Sequence, residues 1–526
     1  MASDEGVEDL GTIEADSDKG ADDSGRQTTG HSQLRALAVR FTALRARLGP
    51  ILPKRGTPEE ADAEPTGPRH SPAIAAGLSF VWPGLGQLFL GRKVAAAVLA
   101  VPALLVVVVL ALQLAQGLLW FAASLWNGPF FVTIVVLVLG LGIWRVVAVG
   151  HAFIWAAHGR RRRPKEMAFV AAMLVLIVAM HGLFVAGAWA WYDASVNIQN
   201  NDIFGTGQSP AAGASATAFR PKPVDTTSFA PPAWIDPGGA AVSIRPVNPN
   251  RITFLLVGMD FMTGRDHSLT DTLMIVSMDM ATEKVSILSV PRDTSSFPLY
   301  YGGKADADFK INTMLGSLEY SNALGSPDPP MKTLENEIGY LVGIPVNYYA
   351  LIDLEGFSKM IDAVGGLDIV NEQDIDDPST GIVMAAGPVH LDGPTAMLYV
   401  RSRENGGSDY LRSARQQGVL MALEHKIASP SGITRLPTLL KLAATYIGTD
   451  FPLGTANKYV SSVQNIKHIV GCVLGPPYSI HPDTSVTGGK WTTYLDLRLV
   501  GGVSLDMFGQ DSTYYGQPGV TAAPCQ

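Results

Sequence analysis

Between Ser71 and Tyr192 the chain carries apolar stretches too long and too poor in charge to be ordinary core helices. Residues 94–120 and 129–157 are each long enough to cross a hydrocarbon core of about 30 Å. Another apolar run covers residues 167–192, and residues 72–90 (PAIAAGLSFVWPGLGQLFL) form one more, interrupted by Pro83 and several glycines. This concentration of apolar sequence produces the mean hydropathy of +0.19. Clustered arginines beside membrane spans stay in the cytoplasm, so Arg160–Arg163 read as inside and the last run carries the chain out. Arg92 and Lys93 prefer the same side. Three full spans with residues 72–90 re-entrant or interfacial satisfy both clusters. A fourth full span would leave one cluster outside unless the N-terminus were outside as well. The expectation is a multi-pass cell-membrane protein over residues 71–192, N-terminus cytoplasmic, with all later sequence extracytoplasmic.

The flanks differ in kind. Residues 1–70 begin with an acidic, small and polar stretch that cannot recover the entropy of ordering, so a disordered cytoplasmic tail is expected. No charged segment followed by a short apolar run opens the chain, which argues against a cleavable signal peptide. Within the tail, Leu34, Leu37, Phe41, Leu44 and Leu48 recur at helical spacing among Arg35, Arg40, Arg45 and Arg47. That pattern reads equally as a helix on an anionic leaflet or as a solvated basic linker. The net charge of -8, with basic residues in separate places, gives no footprint for a nucleic-acid partner. Cys472 and Cys525 form no metal knuckle and no dense framework. Outside the cytoplasm they could pair, the alternative being two unpaired thiols.

Residues 193–250, rich in Pro, Gly, Ala and Ser, read as a linker. From Arg251 the pattern is that of a globular domain, with a core over 251–430 and a C-terminal extension and tail over 431–526. ITFLLVG (252–258), TLMIVSMD (272–279) and KVSILSV (284–290) read as buried strands. Helical stripes follow at Phe357, Met360, Ile361 and Val364, and again after Tyr410. The alternation predicts an α/β fold, a sandwich with a mixed central sheet.

The charges fall at the ends of these strands. Asp260 is expected just past the first strand and Asp271 just before the second, which brings two carboxylates to one sheet edge. Such a pair suits Mg²⁺, which takes one or two carboxylates plus substrate phosphates and waters. The third strand ends in SVPRDT, placing Arg292 and Asp293 behind a stiff proline. Downstream, VRSRENGGSDYLRSARQQG holds Arg401, Arg403, Arg412 and Arg415, the last two on one predicted helix face. Any one of these arginines alone reads as a surface ion pair. Together, without an evident acidic cluster, they would repel one another unless an anion neutralised them. Guanidinium groups match phosphate oxygens bidentately, so a diphosphate with bound Mg²⁺ would balance the set.

The motifs GMD, LTDT, SVPRD, GIPVNYY, DAVGGLDIV, GPVHLDGPTAMLYVRSR and SDYLRSARQQ resemble, in that order, the LytR-CpsA-Psr family of envelope proteins over about residues 251–430. The resemblance implies an extracytoplasmic α/β/α domain and a phosphotransferase. Such an enzyme moves a glycan from a polyprenyl-diphosphate carrier onto peptidoglycan through a phosphodiester, with Mg²⁺. It also implies roles: Asp260 and Asp271 for the metal, and Arg292, Arg401, Arg403 and Arg415 for the diphosphate. Asp409, Arg412 and Gln416 match the remaining DxxRxxRQ positions, and with Asp293 of the PRD motif and Arg265 they are expected to bind the diphosphate. The first loop departs from the family pattern: Met262 and Leu269 stand where arginines are usual, and Arg265 lies between them. The other readings are a polyprenyl-diphosphate phosphatase and a non-catalytic envelope sensor of lipid-linked intermediates. A prenyl tail would need an apolar tunnel, for which Phe357, Met360, Ile361, Val364, Met314, Leu315 and Leu318 are available, although such stripes are more often plain core.

Overall fold

The computed structural model describes residues 70–158, 163–200, 248–260, 269–300, 305–306, 308–316, 328–403, 409–433, 435–482, 487 and 489–525. The acidic tail, the Leu34–Leu48 segment, residues 159–162, most of the expected linker, Arg265 and Leu318 lie outside them. The chain divides into two units, Met1–Leu104 with Ile143–Ile177, and Leu105–Gly142 with Val178–Gln526.

Among the described residues three helices are long and apolar enough to cross a membrane: α3 (Lys93–Leu114), α5 (Gly128–Ala156) and α6 (Pro164–Asn200). Ahead of them lie α1 (Pro72–Val81) and the single-turn α2 (Leu85–Phe89), with α4 (Leu118–Ser124) between α3 and α5. A ten-residue α1 is about 15 Å long, too short to span. The PGLGQ run explains why α1 stops. Gly84 holds φ +99 beside Ala96, and a Cβ on Gly86 would stand 2.0 Å from Ala75 O, so α2 folds tightly onto α1. Gln87, fully buried, accepts from Ser79 Oγ at 3.0 Å and donates to Ala148 O at 2.9 Å. The last apolar helix does not end at Tyr192; it runs to Asn200, into residues read from sequence as linker.

In the second unit, alternating apolar residues build a six-stranded sheet in the order β10-β3-β2-β1-β4-β9. Its strands are β1 (Arg251–Asp260), β2 (Leu269–Asp279), β3 (Lys284–Ser289), β4 (Tyr348–Asp353), β9 (Ile447–Thr449) and β10 (His468–Val473). β1 pairs antiparallel with β2 and parallel with β4, so the sheet is mixed. Period-two alternation sends Leu255, Val257, Leu273 and Ile275 to one face, against Met331, Leu334 and Ile338 of α7 (Pro330–Val342). Phe254, Leu256, Met274 and Val276 go to the other, against Leu420 and Met421 of the long helix Asp409–Ala428. Helices therefore cover both faces, the sandwich expected. Each fully buried aliphatic side chain contributes about 1.5–3 kcal/mol.

A satellite layer sits beside the sheet. It consists of α8 (Leu354–Val364), the hairpins β5 (Leu367–Asn371) with β8 (Gly387–Leu391) and β6 (Ile375–Asp377) with β7 (Ile382–Met384), α9 (Gly393–Arg401), α10 (Asp409–Ala428) and α11 (Leu436–Tyr446). Ile361, Val364, Leu367, Ala396 and Val419 form its core. Residues beyond 430 are no appendage: β9 and β10 are the two sheet edges, and Val500 and Val503 of α12 (Leu497–Phe508) pack in the main core. Cys472 on β10 is bonded to Cys525, the pairing left open by the sequence. The domain also touches the helices of its own unit, through Asn457 Nδ2 donating to Ser124 Oγ at 3.0 Å and Asn127 Nδ2 to Gly454 O at 3.4 Å.

Candidate active site

β1 and β2 do not pair evenly to their ends. Gly258 faces Thr272 and Met259 faces Thr270, so Asp271 is the extra residue of a β-bulge. Bulges re-aim side chains beside functional sites. Asp271 is thus inside β2, not ahead of it, and it lines a cavity of about 610 Å³. Asp260 is the last residue of β1, paired with Leu269; its side chain lies outside the described residues.

Pro291 stops β3, and Arg292 follows it into the cavity wall. Its Nη1 donates to Asp271 Oδ1, while Nε lies 3.8 Å from Asp293 Oδ2 and 3.7 Å from Asp409 Oδ1. Arg412, only 4% exposed, donates from Nη2 to Asp409 at 3.0 Å and to Asp271 O at 3.3 Å. The arginines therefore do have a compensating acidic cluster, contrary to the sequence expectation. The fold gathers Asp271, Asp293 and Asp409 from three distant motifs. Burial works against the charge on Arg292, but Asp271, Asp293 and Asp409 outweigh it and hold the guanidinium above its ordinary value. Burial raises the Asp409 carboxyl despite Arg412 and Arg292, and lowers Arg412 despite Asp409. Burial thus disfavours charge on both members of that pair. Nε of Arg292 and Nε of Arg412 are buried and make no hydrogen bond within the described structure.

Arg401, the last residue of α9, and Arg403 just beyond it also line the cavity. Arg403 is half-exposed, its Nε 3.9 Å from Asp409 Oδ1, and its backbone N donates to Asp377 Oδ2 at 2.7 Å. Gln416 lines the wall and donates to Val400 O at 3.3 Å. The remainder of the cavity is apolar, with Leu256, Met274, Leu351, Phe357, Met360, Leu420 and Leu423. Of the tunnel candidates, Phe357 and Met360 line it; Ile361, Val364, Met314 and Leu315 are core.

Arg415 is not brought to the cavity. It donates to Tyr399 O at 3.2 Å and to Ser402 O, capping the carbonyl end of α9. Helical spacing put its Cα beside that of Arg412, yet the long side chains diverge. Asp293 and Asp409 are corrected as well: each carboxylate is a partner that fixes a cation, since an anion cannot clamp a diphosphate. Asp293 Oδ1 accepts from Lys310 Nζ at 2.6 Å. Lys310 carried no motif and escaped the sequence reading, as did Ser379 and Thr380, which line the cavity from the β6–β7 turn.

For Mg²⁺ the donor set is right in kind, being hard carboxylate oxygens beside guanidinium groups. Among the described residues no three His, Cys, Asp or Glu side chains gather into a cage. Asp271 is the described carboxylate that such a site could use, with substrate phosphates and water completing it.

Residues 233–473 match the model of the LytR_cpsA_psr family. A polyisoprenyl-teichoic acid–peptidoglycan teichoic acid transferase TagU from Bacillus mycoides (strain KBAB4) is 31% identical over 223 residues, 41% of this chain and 67% of the relative. The TagU of Bacillus anthracis (strain A0248) is 30% identical, over 41% of this chain and 68% of its own length. Among solved structures, the crystal structure of B. subtilis TagV resembles the chain with a TM-score of 0.39 at 22% identity, covering 49% of this chain and 98% of TagV. TagT bound to LI-WTA gives a TM-score of 0.37 at 19% identity, over 51% and 96%.

Proposed function

The chain belongs to the LytR-CpsA-Psr family, and from that membership we propose that it is a membrane-anchored phosphotransferase of cell-wall assembly, moving a glycopolymer from a polyprenyl-diphosphate carrier onto peptidoglycan. The observation that carries the reading is that Arg292, Arg403 and Arg412 gather around Asp409 in the wall of a cavity that Arg401 also lines and that is otherwise largely apolar. A prenyl diphosphate has the same division, an apolar tail joined to a compact anion. The catalytic domain works on the extracytoplasmic side and the N-terminus is cytoplasmic, the orientation supported by the arginines after α5.

The tail lies along Phe357, Met360 and Leu420. The diphosphate meets Arg292, Arg401 and Arg403, while the buried Nε donors of Arg292 and Arg412 supply field at the same point. Asp293 and Asp409 keep Arg292 and Arg412 in place, and Arg415 keeps the α9 terminus that carries Arg401 and Arg403 in order. Asp260 and Asp271 would hold Mg²⁺, which when bound offsets charge on the diphosphate oxygens. A sugar hydroxyl of peptidoglycan attacks the phosphorus that bears the glycan. The bond from that phosphorus to the bridging oxygen breaks, and polyprenyl monophosphate leaves. The hydroxyl proton passes to a carboxylate at the site, for which Asp293 and Asp409 are the candidates.

The test follows a labelled glycan from a synthetic prenyl-diphosphate donor in the presence of peptidoglycan oligomers and Mg²⁺. Label should enter the oligomers with the wild-type chain and not with Arg403→Ala. Label released to water alone would make the protein a phosphatase, and tight binding without product would make it a sensor.

A further inference from the structure

The segment around SVTGGKW takes no part in the mechanism above, yet it lies against it. Residues 492–493 run alongside the segment that follows Arg292: Thr493 N and Thr492 Oγ1 both donate to Asp293 O, at 3.0 and 3.3 Å. The residue before them, Trp491, does not line the apolar cavity and is 57% exposed. Its ring rests on the imidazole of His481, centroids 4.2 Å apart at 32°.

His481 is itself fixed at both nitrogens. Nδ1 lies 2.9 Å from Thr492 O, a group that only accepts, so Nδ1 carries the proton. Nε2 then accepts from Tyr410 OH at 3.0 Å, and Tyr410 OH accepts in turn from Ser479 Oγ at 2.9 Å. Tyr410 follows Asp409 directly in the chain. This chain of contacts therefore starts at the residue that follows Asp409, and its other end is an exposed indole stacked on the His481 ring.

We propose that Trp491 is a stacking platform for a sugar ring at the reaction centre. A pyranose presents an apolar C–H face and a polar hydroxyl rim. A flat, preordered indole removes the first from water at little entropic cost and leaves the second free to bond. The reaction requires sugars on both sides of the phosphorus, the first ring of the donor glycan and the ring that bears the attacking hydroxyl. Both offer this chemistry. The inference rests on the proposed transfer for the identity of the ligand, and its test does not require turnover.

Full-length protein in detergent is titrated separately with a peptidoglycan tetrasaccharide and with a short-chain prenyl-diphosphate disaccharide, binding being followed by saturation-transfer NMR. Trp491→Ala should weaken one of the two by about tenfold, and Trp491→Phe should restore most of the loss. The affected ligand identifies the ring as that of acceptor or donor. In turnover assays the same variant should raise KM for that substrate with kcat kept at saturation. Failure of Arg403→Ala to alter transfer would damage the catalytic reading without touching this binding result. Unchanged binding of both sugars by Trp491→Ala overturns the platform. So does quenching of a bimane attached at Trp491→Cys by spin-labelled lipids in nanodiscs, which would make the indole a bilayer anchor.

Discussion

Arg292 Nη1 donates to Asp271 Oδ1, joining the residue after the third strand's proline to the bulged residue of the second strand. Both groups are largely withdrawn from water, at 13% and 20% exposure. A pair so buried costs desolvation on both sides, and that cost is repaid only if each partner is satisfied. In the proposed reaction each has a second partner waiting, phosphate oxygen for the guanidinium and Mg²⁺ for the carboxylate. On that proposal the resting ion pair would give way to the diphosphate and the cation.

That exchange makes Asp271 the sensitive position for metal. Asp271→Asn keeps the shape and a weaker acceptor for Arg292 but removes the charge. The Mg²⁺ concentration for half-maximal transfer should rise by about tenfold or more, and a chelator should abolish transfer by the wild type. An unaltered Mg²⁺ titration in the variant would remove Asp271 from the metal site.

The two arginines of the RxxRQ run should separate cleanly. Arg412→Ala strips Asp409 of its nearest cation and leaves a buried carboxylate, so transfer should fall by about a hundredfold with a lower melting temperature. Arg415→Ala only frees the end of α9, for which about a tenfold fall is expected, partly recovered by Arg415→Lys. Initial rates with saturating donor decide the matter. Equal losses would show that Arg415 reaches the diphosphate after all.

The contrast shows which physics the sequence carried. Long apolar runs and the first three strands were legible because burial of a span or a strand is written locally, in length and in period. The sheet edges β9 and β10 were not, since each is short and exists only through pairing with β4 or β3 across the chain. Asp271 was put ahead of its strand because a bulge leaves no mark on alternation. Helical spacing fixes where the Cα atoms of Arg412 and Arg415 stand, and says nothing of where their long side chains end. The acidic company of Arg292 was missed for the same reason: Asp293 is its neighbour in sequence, but Asp271 and Asp409 arrive only with the tertiary fold. Lys310 and Trp491 sit in segments with no pattern of their own.

Glu335 makes the stability of the domain pH-dependent in an unusual sense. On α7 its side chain is fully buried, with Oε1 unbonded and Oε2 accepting from Lys332 at 2.6 Å. Burial first, then repulsion from Asp450, raises its pKa above the ordinary value in spite of Lys332. The folded chain therefore keeps a proton that the unfolded chain releases above about pH 4.3. With fewer protons on the unfolded state, stability falls as pH rises from there through the raised folded pKa. Asp450, raised chiefly by burial, adds to the same slope. Glu335→Gln should flatten the fall in melting temperature between about pH 5 and about pH 8.5, leaving the smaller part due to Asp450. A slope as steep as the wild type's would exclude Glu335 as its source.

The disulfide should matter to stability and not to chemistry. Cys472 lies on strand β10, which pairs with β3 and is an edge of the sheet among the described residues, and Cys525 packs against it. The bond closes a loop across 53 positions, enclosing α12 and the segment that bears Trp491. By loop-closure entropy such a crosslink restricts the unfolded chain by about 4 kcal/mol. Cys472→Ser with Cys525→Ser should lower the melting temperature by several degrees, while transfer at low temperature persists because neither sulfur approaches the cavity. The sugar-binding measurement reports on the same loop. If the loop's own packing through Val500 and Val503 holds it, the double variant binds saccharide as the wild type does at low temperature and loses it only on warming. Loss of binding in the cold, with the melting temperature unchanged, would mean that the crosslink positions the indole directly.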